Sequence, residues 1–241
     1  MIHGVSACPQ QFAELGDTFF KAGYNVYIPR VPSHGLTDNK RHGEITIPAM
    51  AQFMNSSTSI ISGLGEETGV IGLSGGANMA TWIAQYNSAT ISRALLLSPF
   101  YQPSASEMPA WQSPLLRNLY GRDILPDSFS AGSNLSYRAL GKYMIIAKNY
   151  KSDFKAPGLK HIGVVTSEND TVIDMRLANN IPKQIATASN AKFQSYSIPA
   201  SFGIGHDIVA LSQDEIKKHV NKLYPFYLEM YEGKDVKLES N

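Results

Sequence analysis

The stretch Gly69-Val-Ile-Gly-Leu-Ser74-Gly-Gly-Ala-Asn78 decides the fold of this chain. A short apolar run leads into Gly72-Leu-Ser74-Gly-Gly76, which fits the pattern G-x-S-x-G, and a helical pattern follows. In that pattern a sharp strand-to-helix turn lifts the serine hydroxyl clear of a sheet, and small neighbours prevent collisions across the turn. The stretch therefore predicts a strand, a strained turn and a helix, with Ser74 as a nucleophile. A glycine-rich connection with a buried serine is the structural alternative.

Short apolar runs alternate with longer amphipathic segments on both sides of this turn. Strands are predicted over 24–28, 69–73, 94–97, 162–166 and 192–198, and helices over 9–22, 75–85, 175–187 and a segment after 212. Strands that alternate with helices indicate an α/β fold, in which a mostly parallel sheet is covered by helices on both faces.

The stretch 100–157 interrupts this alternation. It has no clear strand, and its aromatic residues, among Pro, Ser and Asn, include Trp111, Tyr120, Phe129, Tyr137, Tyr143 and Tyr150. It is too long for a plain connection between two elements. We expect a helical excursion packed on the sheet edge, a lid that lines a substrate pocket, or both. The chain, 1–241, is otherwise expected to form one domain.

The composition excludes several classes of protein. The 241 residues are 43% hydrophobic and 17% charged, and 21 Lys and Arg nearly balance 20 Asp and Glu. A near-neutral chain lacks the basic stripe of a nucleic-acid binder, and this one is too hydrophobic to be disordered. The single cysteine, Cys8, excludes an intrachain disulfide and a multi-cysteine zinc site, and it is expected to pack as a small, partly buried residue. No apolar run has the length of a membrane span.

A serine hydroxyl needs a base to take its proton, and His206 is the predicted base. It lies in a loop after the last predicted strand and before the final helix, as the chain order Ser, Asp, His requires. Other histidines have different contexts. His219 falls in a helical pattern and is expected to be a packing or surface residue. His161 lies at a strand entrance, where we expect a structural role. His42 lies among charged loop residues and is expected to be solvated.

The base in turn needs a carboxylate to orient its ring, and Asp170 is the predicted orienting residue. It follows the strand 162–166, at the carboxyl end where parallel sheets place their sites. Glu168, on the same turn, and Asp174, which is expected to cap the next helix, are its rivals. Asp207 is next to the base in sequence and is expected to make local contacts only.

Two backbone N–H groups are predicted to stabilise the negative oxygen that forms during acyl transfer. One belongs to Gly75, directly after the nucleophile. The other is expected from the loop His3-Gly4-Val5, with the Val5 N–H as donor and His3 as a residue that shapes the loop. A flexible terminus is the alternative. The chain has no glycine-rich phosphate loop and no metal-spaced cluster, so neither a metal nor an organic cofactor is expected.

Taken in order, five motifs resemble those of the α/β-hydrolase superfamily, and most closely the bacterial carboxylesterase and monoacylglycerol-lipase-like branch. They are Met-Ile-His3-Gly4, Arg30-Val-Pro-Ser-His34-Gly35-Leu-Thr37, Gly72-Leu-Ser74-Gly-Gly76, Asp170-Thr-Val172 and Gly205-His206. The resemblance spans nearly the whole chain. It implies that Ser74 is the nucleophile, His206 the general base and acid, and Asp170 the orienting acid. It also implies oxyanion donors at Val5 and Gly75, and a cap over 100–157, inserted after the sixth strand.

The chain departs from this superfamily at its beginning. Members usually have a strand pair before the His-Gly loop and a full strand leading into it, whereas only Met1 and Ile2 precede His3 here. We therefore expect an N-terminally shortened fold in which the first strands are absent, and an upstream segment of a longer chain that is missing.

These observations predict a serine carboxylic-ester hydrolase that forms an acyl-enzyme with small, uncharged esters of short or medium chain length. A non-catalytic interaction domain of the same fold, with an exposed sheet edge that seeks a partner, is the alternative from another class. A thioesterase, an amidase or a polyester depolymerase stays open within the enzyme class. The sequence does not decide the cellular compartment either, although its many Ser, Asn and Tyr residues and few charges weakly favour an extracellular enzyme.

Overall fold

Four parallel strands form the sheet at the centre of the chain: β1 (Thr68–Leu73), β2 (Ile91–Leu97), β3 (His161–Ser167) and β4 (Lys192–Ile198). The computed structural model describes residues 1–130 and 135–238. The strands lie in the order β1-β2-β3-β4, and each neighbouring pair is parallel. β3 is buried along its whole length, as expected for a strand that helices cover on both faces.

Helices connect the strands and supply the crossovers that a parallel sheet requires. They are α1 (Ala13–Lys21), α2 (Ile47–Ile61), α3 (Gly75–Tyr86), α4 (Ser113–Leu115), α5 (Tyr137–Ala147), α6 (Met175–Ala188) and α7 (Asp214–Glu232). Shorter helical turns cover Pro9–Phe12, Asn39–Glu44, Leu116–Tyr120 and Ala200–Phe202. Among the described residues, no helix combines the length and the hydropathy that crossing a membrane requires.

Two apolar cores lie on opposite faces of the sheet. Alternate residues of a strand point to opposite faces, and β2 shows this directly, because Leu96 belongs to one core while Leu95 and Leu97 belong to the other. Helices α2, α3, α5 and α6 cover the first face, and α1 and α7 cover the second. The predicted α/β architecture, with helices on both faces of a parallel sheet, is therefore confirmed.

The segment 24–28 does not form the strand that its sequence predicts. It lies beside the first two residues of the chain, since the Met1 ammonium donates a hydrogen bond of 2.7 Å to the Tyr27 carbonyl. Ile2 in turn forms an isolated parallel bridge with Gly72 of β1. A strand exists only when a partner pairs along its length, and two residues do not provide such a partner. The prediction of a strand at 24–28 is therefore wrong for this structure.

The stretch 100–157 contains α4, the turn Leu116–Tyr120 and α5, and residues 131–134 within it lie outside the described part of the chain. Asn78 of α3 holds α5 and the start of this stretch, because its Nδ2 donates to the Tyr143 carbonyl at 2.9 Å and the Phe100 carbonyl at 2.8 Å. The helices α4, Leu116–Tyr120 and α5 thus form part of the described stretch, and α5 packs on the helix that follows Ser74. Its role as a cap stays a prediction.

Candidate active site

Ser74 occupies a strained turn between β1 and α3. Its backbone angles are φ 56° and ψ −119°, a region that residues with a side chain rarely adopt. The flanking glycines make this turn possible. A Cβ on Gly72 would collide with the Gly76 carbonyl, and a Cβ on Gly76 would collide with the Ile2 carbonyl. The pattern G-x-S-x-G therefore reflects a steric requirement, and the turn has the predicted strand–turn–helix form.

The structure brings together the three side chains that the sequence singles out. His206 Nε2 lies 2.8 Å from Ser74 Oγ, and His206 Nδ1 lies 2.8 Å from Asp170 Oδ2. A neutral ring with its proton on Nδ1 satisfies both contacts, since it donates to the carboxylate and accepts from the serine hydroxyl. The three residues meet at the carboxyl ends of β1 and β3 and in the loop that precedes α7.

Asp170 is an ionised carboxylate in a buried position. Its side chain is 0% exposed, whereas that of His206 is 22% exposed. Burial by itself raises the pKa of Asp170, but the hydrogen bond and charge of His206 and the N–H of Val172, 2.9 Å from Oδ1, hold that pKa below its ordinary value. A carboxylate that keeps its charge can orient the imidazole and stabilise its protonated form.

The rival carboxylates have other partners. Glu168 Oε2 accepts from the Ala200 N–H at 2.8 Å. The prediction that Asp174 caps the next helix is confirmed, because its Oδ1 accepts from the Leu177 N–H at 3.0 Å at the start of α6. Of the three carboxylates that follow β3, Asp170 is thus the one that contacts the His206 ring.

The other histidines fall into two groups. His219 packs its ring 4.6 Å from that of Phe202, and His161 is buried at the start of β3, so their expected packing and structural roles agree with the structure. The prediction that His42 is solvated is wrong, because this residue is 1% exposed. Its Nε2 accepts from the Ser136 N–H at 2.9 Å, so a segment distant in sequence covers it.

The loop His3-Gly4-Val5 lies beside Ser74. His3 Nδ1 donates to the Gly4 carbonyl at 2.9 Å, and its Nε2 accepts from the Val31 N–H at 3.1 Å. Burial lowers the pKa of His3 to about 4, so the ring is neutral and shapes the loop. A Cβ on Gly4 would lie 3.7 Å from Ser74 Cβ, and one on Gly75 would collide with the Val5 side chain. Val5 and Gly75 are therefore neighbours at the nucleophile.

A glutamine that the sequence analysis missed connects this loop to the one that carries His206. Gln11 Oε1 accepts from the Gly4 N–H at 2.8 Å, and Gln11 Nε2 donates to Asp207 Oδ2 at 2.9 Å. Asp207 Oδ1 also accepts from the Val209 and Ala210 N–H groups, both at 3.0 Å. Asp207 thus makes its expected local bonds and one long-range bond besides. No local pattern around Gln11 signals this contact, which spans 196 residues.

A metal ion has no evident place among the described residues, since no group of three or more His, Cys, Asp or Glu side chains converges there. The partners of the site are instead hydrogen-bonding groups. They comprise an alcohol, an imidazole, a carboxylate and backbone N–H groups, and the N–H of Gly75 is among the first-turn donors that a helix leaves without an internal partner. This set of groups can carry out acyl transfer.

Comparisons with known proteins support the fold. The sequence matches no protein-family model, and no curated protein matches it. Among solved structures, the monoacylglycerol lipase of Paleococcus ferrophilus is 16% identical with a TM-score of 0.67, over 95% of this chain and 93% of that one. Est1E from Butyrivibrio proteoclasticus, solved with ferulic acid, is 17% identical with a TM-score of 0.61, over 95% and 87%. A soluble variant of monoglyceride lipase from Saccharomyces cerevisiae is 15% identical with a TM-score of 0.61, over 95% and 85%.

The chain therefore has the α/β-hydrolase fold, as the resemblance implied. The structural neighbours named above extend over nearly all of it, and two of them are lipases by name. At these levels of identity the likeness establishes the fold alone, so the chemistry of this chain has to be argued from its own residues.

Proposed function

We propose that the chain is a serine hydrolase of carboxylic esters that acts through an acyl-enzyme on Ser74. The observation that carries the proposal is the pair of 2.8 Å contacts that His206 makes, one with Ser74 Oγ and one with Asp170 Oδ2. An imidazole between an alcohol and an ionised carboxylate can activate the alcohol, because it accepts the proton while the carboxylate stabilises the charge that results. The strained turn at Ser74, which presents the hydroxyl at the sheet edge, is a second support.

The reaction begins when Ser74 Oγ attacks the ester carbonyl carbon as His206 Nε2 takes the hydroxyl proton. The carbonyl oxygen gains negative charge and accepts hydrogen bonds from the N–H groups of Val5 and Gly75. The C–O bond to the alcohol then breaks, and His206 returns the proton to the departing alkoxide. Water next attacks the acyl carbonyl carbon while His206 Nε2 takes its proton. The bond from that carbon to Ser74 Oγ then breaks, His206 returns the proton to Oγ, and the acid leaves. Each proton moves through one ring nitrogen, so no step calls for a metal or an organic cofactor.

We propose small, uncharged esters of short or medium chain length as substrates, and a cap role for the stretch 100–157. Tyr143 of α5 supports the cap, because a Cβ on Gly75 would lie 2.9 Å from the Tyr143 ring, so this helix adjoins the oxyanion side of the site. The aromatic composition of the stretch supports an apolar substrate. The neighbours that are lipases of monoacylglycerol by name, and the one that binds ferulic acid, agree with this substrate class.

A panel of p-nitrophenyl esters of rising acyl chain length tests the proposal. Ser74→Ala should abolish turnover while the fold survives, and His206→Ala should lower kcat by about a thousandfold or more. His219→Ala is the matched control, because it removes a histidine that packs on Phe202 away from the three contacts, and it should retain activity. Unchanged turnover in Ser74→Ala would remove the proposal.

The same triad attacks thioesters, amides and polyesters, so the pocket decides among these substrates. Adding an acyl-CoA, an anilide and a polyester film to the panel separates a carboxylesterase from a thioesterase, an amidase and a depolymerase. A non-catalytic interaction domain is the second candidate. The outer edge of β1 favours it, because this edge pairs only through the Ile2–Gly72 bridge among the described residues. A folded protein that is inactive toward the whole panel would favour that candidate.

A further inference from the structure

Ser98 lies between the two parts of the chain that carry Ser74 and Asp170. It follows β2 directly, and β2 is the strand between β1 and β3 in the sheet. Its backbone N–H donates to the Val165 carbonyl of β3 at 2.8 Å. The segment 97–100 also holds the backbone of Ser74, because its first carbonyl accepts from the Ser74 N–H at 2.9 Å and its last N–H donates to the Ser74 carbonyl at 3.1 Å. One short segment thus connects the turn of the nucleophile to the strand that leads to Asp170.

The local structure around Ser98 does not favour a serine. Its φ is 39°, in the region that suits glycine and costs free energy for a residue with a side chain. The residue is 0% exposed, and its Oγ makes no hydrogen bond of ordinary geometry with any described residue. A buried hydroxyl that lacks a partner destabilises the folded state further. Glycine would suit both the backbone and the burial, so the hydroxyl calls for an explanation beyond the turn.

The carboxylate of Asp170 has acceptor positions left for this hydroxyl. A carboxylate offers about four such positions on its two oxygens. In Asp170, Oδ2 contacts His206 Nδ1 at 2.8 Å and Oδ1 accepts from the Val172 N–H at 2.9 Å, while the side chain is 0% exposed. Burial raises the pKa of Asp170, but these hydrogen bonds hold it below its ordinary value, and the Ser98 hydroxyl is near enough to contribute to that effect. A donor without an acceptor and an acceptor with spare positions are therefore neighbours.

We propose that Ser98 is a positioning residue of the hydrolase, and that its Oγ–H donates a third hydrogen bond to the Asp170 carboxylate. A serine hydroxyl turns about its side-chain bonds, so this contact forms without movement of the backbone. Donors on both oxygens keep the carboxylate from turning, so Oδ2 stays directed at His206 Nδ1. The catalytic consequence rests on the proposed function, whereas the contact between Ser98 and Asp170 does not.

The variants Ser98→Ala and Ser98→Gly test this role through kcat and KM for a p-nitrophenyl ester. Both lack the hydroxyl, so both should lower kcat by about tenfold, and KM should change little because Ser98 acts through Asp170 rather than on the substrate. The two variants differ in the backbone. Ser98→Gly should be the more stable of the two in urea denaturation, because glycine adopts a φ of 39° without strain. A similar loss of kcat in both would therefore follow the hydroxyl and not the stability.

Retention of kcat in Ser98→Gly would overturn the proposal, because the serine would then serve the turn alone. The glycine variant also keeps the test open if Ser98→Ala does not fold. The matched control is Asn190→Gly, which removes another side chain at positive φ, 55°. Asn190 is exposed and precedes β4, at the end of the sheet opposite the site, so this variant should leave kcat unchanged.

The pKa of Asp170 supplies a readout that does not require turnover. A ¹³C NMR titration of the aspartate carboxyl groups follows it, with the Asp170 signal assigned from Asp170→Asn. The pKa of Asp170 should be higher in Ser98→Ala and Ser98→Gly than in the unchanged protein, because a donor that favours the charged form is lost. An equal pKa in all three proteins would overturn the contact. A raised pKa in variants of a protein that hydrolyses no ester would support the contact and would remove the proposed function instead.

Discussion

Acid should destabilise this protein through His3 and His34, two buried histidines whose pKa values are lowered by burial. His3, His34 and His42 form a column between the loop beside Ser74 and the stretch 100–157, with ring centroids 5.7 Å and 5.8 Å apart. His34 Nδ1 donates to the Pro32 carbonyl at 2.8 Å, and its Nε2 lies 3.3 Å from the Tyr143 hydroxyl. Burial lowers the pKa of His34 to about 3 and that of His3 to about 4.

The sign of the effect follows from the unfolded pKa of histidine, which is about 6.5. Above that pH both rings are neutral in both states, and they do not change the free energy of unfolding. As the pH falls below it, the unfolded chain binds protons that the folded chain does not, so stability decreases until the folded pKa is reached. For His34, a change from pH 7 to pH 5 covers about 1.5 pH units of this window and costs about 2 kcal/mol.

The assay is urea denaturation at pH 7 and pH 5. The free energy of unfolding should fall between the two conditions, and His3, whose pKa is lowered in the same way, adds a comparable loss. In His34→Gln the fall should be smaller by about 2 kcal/mol, because that variant has no imidazole to protonate in the unfolded chain. His219→Gln controls for the loss of one histidine elsewhere. An equal fall in His34→Gln and in the unchanged protein would show that protonation of His34 does not contribute to the loss of stability.

Three further predictions concern the site. Asp170→Asn should lower kcat for a p-nitrophenyl ester by about 10⁴-fold, because the His206 ring loses the charge that orients it. The control Glu168→Gln should change kcat little, and similar losses of kcat in the two variants would exclude Asp170 as the orienting acid. Ser74→Gly should be more stable than Ser74→Ala by about 1 kcal/mol in urea denaturation, because glycine tolerates the φ of 56° at this position. Equal stability of the two variants would mean that the turn at residue 74 is unstrained. Gln11→Ala should lower kcat more than it raises KM, because the variant removes the hydrogen bonds that connect Gly4 to the loop that carries His206. A change in KM alone would argue against a positioning role for Gln11.

Most of the sheet could be predicted from local patterns. The runs at 94–97 and 162–166 correspond to the interior strands β2 and β3, which are apolar because helices cover both faces of the sheet. The runs at 69–73 and 192–198 correspond to the edge strands β1 and β4, and in β4 polar residues lie between the apolar ones. The run at 24–28 has the same composition but forms no strand in the structure. Strand formation requires a neighbouring strand to pair with, and the sequence of one segment does not reveal which other segment will pair with it.

Site residues were predictable where their chemistry imposes a local pattern. Ser74 needs small neighbours, Asp170 follows a strand and His206 precedes the last helix, so chain order and element ends were sufficient to select them. Gln11 and His42 had no such signal. The environment of each is set by a residue distant in sequence, Asp207 for Gln11 and Ser136 for His42, and such contacts follow from packing rather than from neighbouring residues.

Labelling with a fluorophosphonate, read by intact mass and peptide mapping, tests most directly whether Ser74 is an activated nucleophile. One adduct per chain, located on Ser74, is expected in the folded protein. No adduct is expected in Ser74→Ala, and the reaction should be strongly slowed in His206→Ala. A folded protein that takes up no label, or that carries the label on a different serine, would contradict the assignment of Ser74 as the nucleophile.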